Sequence, residues 1–269
     1  MKYYRLRSAF SMVELIIVMA ILGIVASIGT EMIVKVYESY IVQRAEHRAT
    51  LKTELAATQI ANRLASAIPG TVYRIRTNDT YELIDSDFPG TTGDDYKGLQ
   101  WVSSDTDSFA ATATPGWSGF CDIDNSSQTV LSTPGSSLGL TNTIIGNLSS
   151  GKSISDAAIY FPYDTVAHTI GSVTTDTITL DNNVSTIVEH YKLAWSSYAL
   201  VVEGGDLYLY YNFSPTPATA VGNTRSLLMR NISTFKFKGS GRTIRFKICK
   251  EEPISEDTNI TACKEKAVF

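Results

Sequence analysis

Metal and redox chemistry are sparsely provided for in this chain. It holds only three cysteines (Cys121, Cys249, Cys263) and three histidines (His47, His168, His190) in 269 residues. No C-x-x-C pair occurs and the histidines are scattered, so metal-ligand spacing is missing and no cofactor is expected. Positive charge is scarce outside the N-terminus. The first nine residues hold Lys2, Arg5 and Arg7 and no acid, and the remainder carries 20 basic against 27 acidic residues, a net of −7. An acidic body excludes general nucleic-acid binding, because phosphate contacts need clustered Lys and Arg. DNA is therefore a disfavoured partner, and any claim for it must rest on a local patch. Proline and glycine are absent from Thr30 to Ile68, and then occur together at Pro69-Gly70. What remains is globular in composition, 43% apolar and 19% charged, with room for one sizeable domain plus an anchoring segment.

The N-terminus is the most informative stretch. Residues 1–9, MKYYRLRSA, form a short basic leader, and Phe10 to Thr30 is apolar. As a helix that run measures about 32 Å, enough to cross the hydrocarbon core of a bilayer. An ordinary secretory signal has the same order of parts, and Val25-Ala26-Ser27 has the small residues of a cleavage site. Two features oppose that reading. Glu14 stands near the start of the apolar run, where a carboxylate costs a few kcal/mol and so marks a partner or a function, or else a side chain snorkelling to the interface. The helical pattern also continues without a break: Val34, Tyr37, Ile41 and Ala45 keep helical spacing, and Ile60, Leu64, Ala67 and Ile68 repeat it. The pattern predicts one helix of nearly sixty residues, apolar all round in its first third, amphipathic afterwards, and ended by Pro69-Gly70.

Ala9-Phe10-Ser11-Met12-Val13-Glu14-Leu15, followed by Ile16 to Gly23, resembles the leader and N-terminal segment of type IV prepilins and type II secretion pseudopilins. The likeness covers roughly the first sixty residues. It implies cleavage between Ala9 and Phe10 by a prepilin peptidase and N-methylation of Phe10, with Ala9 standing where the family usually has Gly. It also implies that Glu14 pairs with the N-terminal amine of a neighbouring subunit. In a bundle of such helices a lone carboxylate is tolerable only where a cation reaches it, and leader removal creates that cation. The partners implied are other pilin or pseudopilin subunits, the peptidase and an inner-membrane assembly platform. The location implied is a single-pass inner-membrane anchor with a periplasmic head, and a filament after assembly.

Beyond Thr71 the period changes from 3.6 to 2. Short β-leaning runs occur at Thr71–Arg76, Leu99–Val102, Ala158–Phe161, Thr177–Leu180, Thr186–Tyr191, Tyr198–Glu203, Leu207–Phe213, Thr234–Lys238 and Thr243–Cys249. Gly204-Gly205-Asp206 and Gly239-Ser240-Gly241 read as hairpin turns. The expected class is α+β, a pilin-like long N-terminal helix packed on an antiparallel sheet. Its parts are a leader (1–9), a transmembrane and assembly helix (10–30), an amphipathic continuation (31–68) and a β-rich head (69–269). Ser103 to Asp156, rich in Ser, Thr, Gly and Asp, reads as surface loops around one or two short strands. Trp101, Trp117 and Trp195 read as core anchors. The large head and the Ala67-Ile68-Pro69-Gly70-Thr71-Val72 junction resemble minor subunits, namely the J-type pseudopilin or the minor pilins of mannose-sensitive haemagglutinin pili. That likeness implies a structural subunit near a fibre tip that helps initiate assembly. The alternative makes the head an adhesin or the DNA receptor of a competence pilus.

The 13 residues between Cys249 and Cys263 suit a disulfide-closed loop worth about 3 kcal/mol, the other reading being three reduced core cysteines. The envelope compartment implied by the resemblance favours the oxidised pair, with Cys121 left as a buried thiol. Other patterns are weaker. Gly146 to Ser153 (GNLSSGKS) fits the phosphate-loop spacing, but only nine residues separate Lys152 from Pro162, too few for the helix such a loop needs. Gly116-Trp117-Ser118-Gly119 brings its second glycine one residue too early for a nucleophile elbow, so no enzyme activity is expected. Asp94-Asp95, Asp105 with Asp107, and Asp122 with Asp124 read as solvated turn acids rather than calcium ligands. Asp181-Asn182-Asn183-Val184-Ser185 and Asp257-Thr258-Asn259-Ile260-Thr261 resemble bacterial glycosylation sequons. The one basic patch alternates Lys236 and Lys238 with Phe235 and Phe237, and Arg245 and Lys247 with Ile244, Phe246 and Ile248, which reads as an amphipathic hairpin.

Overall fold

A computed structural model describes residues 11–85, 96–111, 114–255 and 258–269. Contacts divide the chain into two units, residues 1–48 with 252–260, and residues 49–251 with 261–269. The expected α+β class is present: one long helix, then antiparallel sheets.

Helix α1 runs from Met12 to Leu64. It opens at Ser11, whose Oγ accepts the Glu14 N–H at 3.2 Å, a side-chain cap for an otherwise unmatched donor. In the first unit its apolar residues are exposed: Val13, Leu15, Ile16, Met19, Leu22 and Ile33 each show half or more of their surface. No part of the most apolar window is covered, and the helix is long and apolar enough to cross a membrane. In the second unit Ala49, Thr53, Ala56, Ala57, Ile60 and Leu64 are buried. Those steps of three and four place them on one face. The helix stops at Leu64, short of the Pro69-Gly70 stop expected from sequence. The Ile68 N–H is taken by the Val102 carbonyl at 2.9 Å, and Ala67 bridges to Ser103, so pairing with a strand competes with another helical turn.

A six-stranded antiparallel sheet has the order β11-β10-β9-β3-β1-β2. Its strands are β1 (Tyr73–Arg76), β2 (Tyr81–Leu83), β3 (Tyr96–Ser103), β9 (Ser196–Glu203), β10 (Asp206–Phe213) and β11 (Arg225–Met229). A second sheet, of order β4-β7-β6-β5-β8, joins β4 (Val130–Ser132), β5 (Ala158–Tyr160), β6 (His168–Val173), β7 (Thr177–Leu180) and β8 (Lys192–Ala194). The third is β12 (Ile232–Ser240), β13 (Thr243–Ser255) and β14 (Thr258–Val268), in that order.

Two main cores follow. In the first, the buried face of α1 meets Leu99, Trp101, Leu200 and Leu207 of the six-stranded sheet and Ile244, Phe246, Ile248 and Val268 of the three-stranded one. The second lies within residues 104–195, inserted between β3 and β9, which pair directly from Gly98↔Val201 to Ser103↔Ser196. The Asp105 N–H donates to the Leu193 carbonyl at 2.8 Å and closes the neck of this insertion.

That second core corrects the expectation of surface loops over Ser103–Asp156. Helices α2 (Thr106–Phe109) and α3 (Leu138–Ser149) lie in that stretch, and Trp117, Cys121, Leu131, Leu138, Ile145 and Ile154 are buried there. The α3 sequence, LGLTNTIIGNLS, has poor helix propensity, so packing of Leu138, Thr141, Ile145 and Ser149 on one face overrides it. Thr186–Tyr191 is no strand; only His190 forms a bridge, to Phe120. Trp101, Trp117 and Trp195 are buried, as expected. The Gly204-Gly205 turn joins β9 to β10 with both φ positive, at 59° and 83°, the conformation that glycine adopts without strain. The other hairpin turns one position later than expected, at Gly241-Arg242.

Candidate functional site

Ala9 and Phe10, the expected cleavage and methylation positions, lie outside the described residues. Glu14 lies in the first turn of α1 with its side chain exposed. Ser11-Met12-Val13-Glu14 has the S-x-x-E spacing of a capping box, a sequence signal that marks where the helix starts. A carboxylate in the first turn also faces the positive end of the helix dipole, worth roughly 0.3–1 kcal/mol. Glu14 therefore has a favourable place in the isolated chain and a free carboxylate to offer outward. Around it every apolar side chain from Met12 to Ile24 faces outward too.

A second, separate feature is at the C-terminus. Cys249 on β13 and Cys263 on β14 are joined by a disulfide, with Cα atoms 4.1 Å apart. The residues expected to form a Cys-closed loop are instead the two strands of a hairpin that the disulfide staples. Cys121 is a buried free thiol whose Sγ meets Ser126 Oγ at 3.4 Å, and burial pushes the thiol pKa up.

One cluster was not read from the sequence. Glu54 on α1 pairs with two lysines of β14: Lys264 Nζ at 2.7 Å and Lys266 Nζ at 2.9 Å. Lys266 also donates to Thr58 Oγ1 at 2.7 Å. Lys264 and Lys266 are two apart in a strand and so share a face, which is legible locally; their partner more than two hundred residues earlier is not. Hydrogen bonds from Lys264 and then Lys266 hold the Glu54 carboxyl at about 2, against 4.5 for an ordinary glutamate. A depressed folded-state pKa contributes stability above the unfolded value and loses it as pH falls through the folded one. Hydrogen-exchange protection of the β14 amides is thus expected to hold above pH 4.5 and to decline between 4.5 and about 2. In Glu54→Gln that decline should vanish; the same decline in the variant would assign it to other groups.

The remaining patterns resolve as follows. Gly146 to Ser153 spans the C-terminal end of α3 and the left-handed Ser150, and it precedes only a 3-10 turn, Ile154–Asp156. Lys152 Nζ donates to the Phe213 carbonyl at 3.1 Å, so the lysine of the phosphate-loop pattern serves packing. Asp122 accepts the backbone N–H groups of Asp124 and Asn125, a turn device. Asp105 caps α2 by accepting from Ser108 N at 3.1 Å. Asp94 and Asp95 lie outside the described residues, and among the described residues no group of three or more His, Cys, Asp or Glu is placed to hold a metal. Asn183 and Asn259 are exposed. Lys236 pairs with Lys247 and Lys238 with Arg245 across β12 and β13, all four on the exposed face of the hairpin.

Among known families, residues 4–30 match the model described as the Prokaryotic N-terminal methylation motif. This is a prepilin signal of the type IV pilin-like kind, and it implies processing by a prepilin peptidase. No curated protein and no solved structure matches the chain.

Proposed function

We propose that this chain is a minor pilin or pseudopilin, a structural subunit of a type IV pilus or type II secretion pseudopilus, placed near the tip and helping to start assembly. The observation that carries this reading is the methylation motif at residues 4–30, whose described part runs into a helix with its most apolar window exposed. Such a surface needs a bilayer or other helices around it. Before assembly the bilayer covers it; in the fibre, the same helices of neighbouring subunits do. Cleavage after Ala9 frees the Phe10 amine, and Glu14 pairs with that amine on an adjacent subunit and sets the axial register of the bundle. The head, stapled by Cys249–Cys263 and tied to α1 through Glu54, faces the periplasm and contacts other minor subunits. Mild cross-linking in the native membrane followed by purification tests this. Recovery with several other proteins that carry the same N-terminal motif is the expected result, and recovery as a lone monomer would contradict it.

A further inference from the structure

A cavity of about 840 Å³ opens between the 104–195 insertion and the segment that follows α1, wholly within residues 49–251. That volume is in the range of small-molecule sites, which are mostly apolar with a few convergent polar groups. One wall is a ladder of rings: Phe109 lies 4.9 Å from Trp117, and Trp117 lies 5.7 Å from Tyr191, centroid to centroid. The inner two rings are buried, whereas Phe109 is 49% exposed and stands free to meet a ligand.

The polar groups sit at different ends. Asp105 is 3% exposed, yet its Oδ2 has no hydrogen-bond partner. Besides this cavity it borders a small hollow beside Arg63 that neither Lys192 nor Arg242 reaches. Lys192 and Arg242 border a different hollow, of about 210 Å³, that Asp105 does not reach. Neither cation makes an ion pair among the described residues, although Asp85 and the terminal Phe269 share that second hollow. Burial and then the charge of Arg242 push the Lys192 pKa down, as expected for two neighbouring cations. His190 also lines the cavity.

We propose that this cavity binds an acidic saccharide, with a sugar ring on the Phe109–Trp117–Tyr191 wall and a carboxylate on Lys192 and Arg242. Each part of the lining selects for one part of such a ligand. Aromatic faces take the C–H face of a sugar ring. The hydroxyls of Ser104, Thr106 and Ser118, which also line the cavity, take ring hydroxyls. A fatty acid fits the cations but would cover those hydroxyls with an alkyl chain, at the usual cost of taking polar groups out of water without new partners. A neutral sugar fits the wall but offers Lys192 and Arg242 no charge to bind. Charge-assisted bonds from Arg and Lys to a carboxylate are the stronger kind and give direction as well as affinity. The proposal does not depend on the fibre role, since every residue it uses lies in the second unit.

Titration calorimetry on the full chain in detergent micelles tests it with three probes: trigalacturonate, its methyl ester, and dodecanoate. Saturable binding of trigalacturonate is expected, weaker by at least about tenfold for the ester, which lacks the charge. A loss of similar size is expected for trigalacturonate with Lys192→Gln/Arg242→Gln and with Phe109→Ala. These side chains are exposed or half-exposed, and an unchanged melting temperature confirms that the variants fold. Equal binding of acid and ester, tighter binding of dodecanoate, or no saturable binding of trigalacturonate would each overturn the proposal.

Discussion

Replacing Glu14 by Gln is expected to leave the protein processed, membrane-inserted and folded, yet to cut its recovery in the fibre fraction by at least about tenfold. Two effects act in opposite directions. Removing a carboxylate from hydrocarbon favours the inserted helix by about 2–3 kcal/mol on insertion scales. In the proposed fibre the same change would leave a neighbour's amine without its anion, and a buried charge that loses its partner costs about 3–5 kcal/mol. The isolated subunit is little affected. Glu14 contributes its backbone N–H to the Ser11 cap, which Gln retains, and a dipole interaction of less than about 1 kcal/mol, which Gln loses. Membrane level and fibre level therefore move apart. Blots of the inner membrane and of the sheared or cross-linked fibre read both from one culture. Equal incorporation of the Gln variant would make Glu14 an ordinary residue of the helix start.

The second large effect concerns the Cys249–Cys263 staple. Its removal as Cys249→Ala/Cys263→Ala is expected to cost about 2–4 kcal/mol, since a cross-link of this span chiefly restricts the unfolded chain. For a domain of this size that is a fall in melting temperature of roughly 5–15 °C. The loss should concentrate in β14, which is the last strand of its sheet and is held to α1 by the pairs to Glu54 and the Lys266–Thr58 hydrogen bond. Wild-type protein in reductant should melt with the variant, while reductant leaves the variant unchanged. Cys121, fully buried, should accept a thiol label only after unfolding. A peptide map showing Cys121 in a bridge would refute both assignments.

What was legible in the sequence was local. The basic leader and the carboxylate in an apolar run are read within the first thirty residues, where the family match falls, and the absence of Pro and Gly from Thr30 to Ile68 marks the helix beyond them. Strand β7 was legible in full because Thr-Ile-Thr-Leu alternates, with Ile178 and Leu180 buried. The insertion was not. Its core residues are spaced by loops, its helix α3 contains two glycines and two asparagines, and its closure depends on β3 meeting β9 across 92 intervening residues. Strand β14 escaped notice because Thr258 to Val268 has no apolar alternation: its lysines face Glu54, and only Val268 reaches the core. The cavity wall likewise joins Phe109, Trp117 and Tyr191, residues that no sequence period relates.

The central claim, that leader removal creates the amine on which assembly turns, is tested most directly at the N-terminus of the mature protein. Intact-mass and N-terminal peptide mass spectrometry of chain purified from membranes should find a start at Phe10 carrying one methyl group on its amine. A chain still beginning at Met1, or one beginning near Ile28 after the Val25-Ala26-Ser27 site, would contradict it. In the first case Glu14 would have no such amine to meet, and in the second the segment matched by the methylation motif would have been removed.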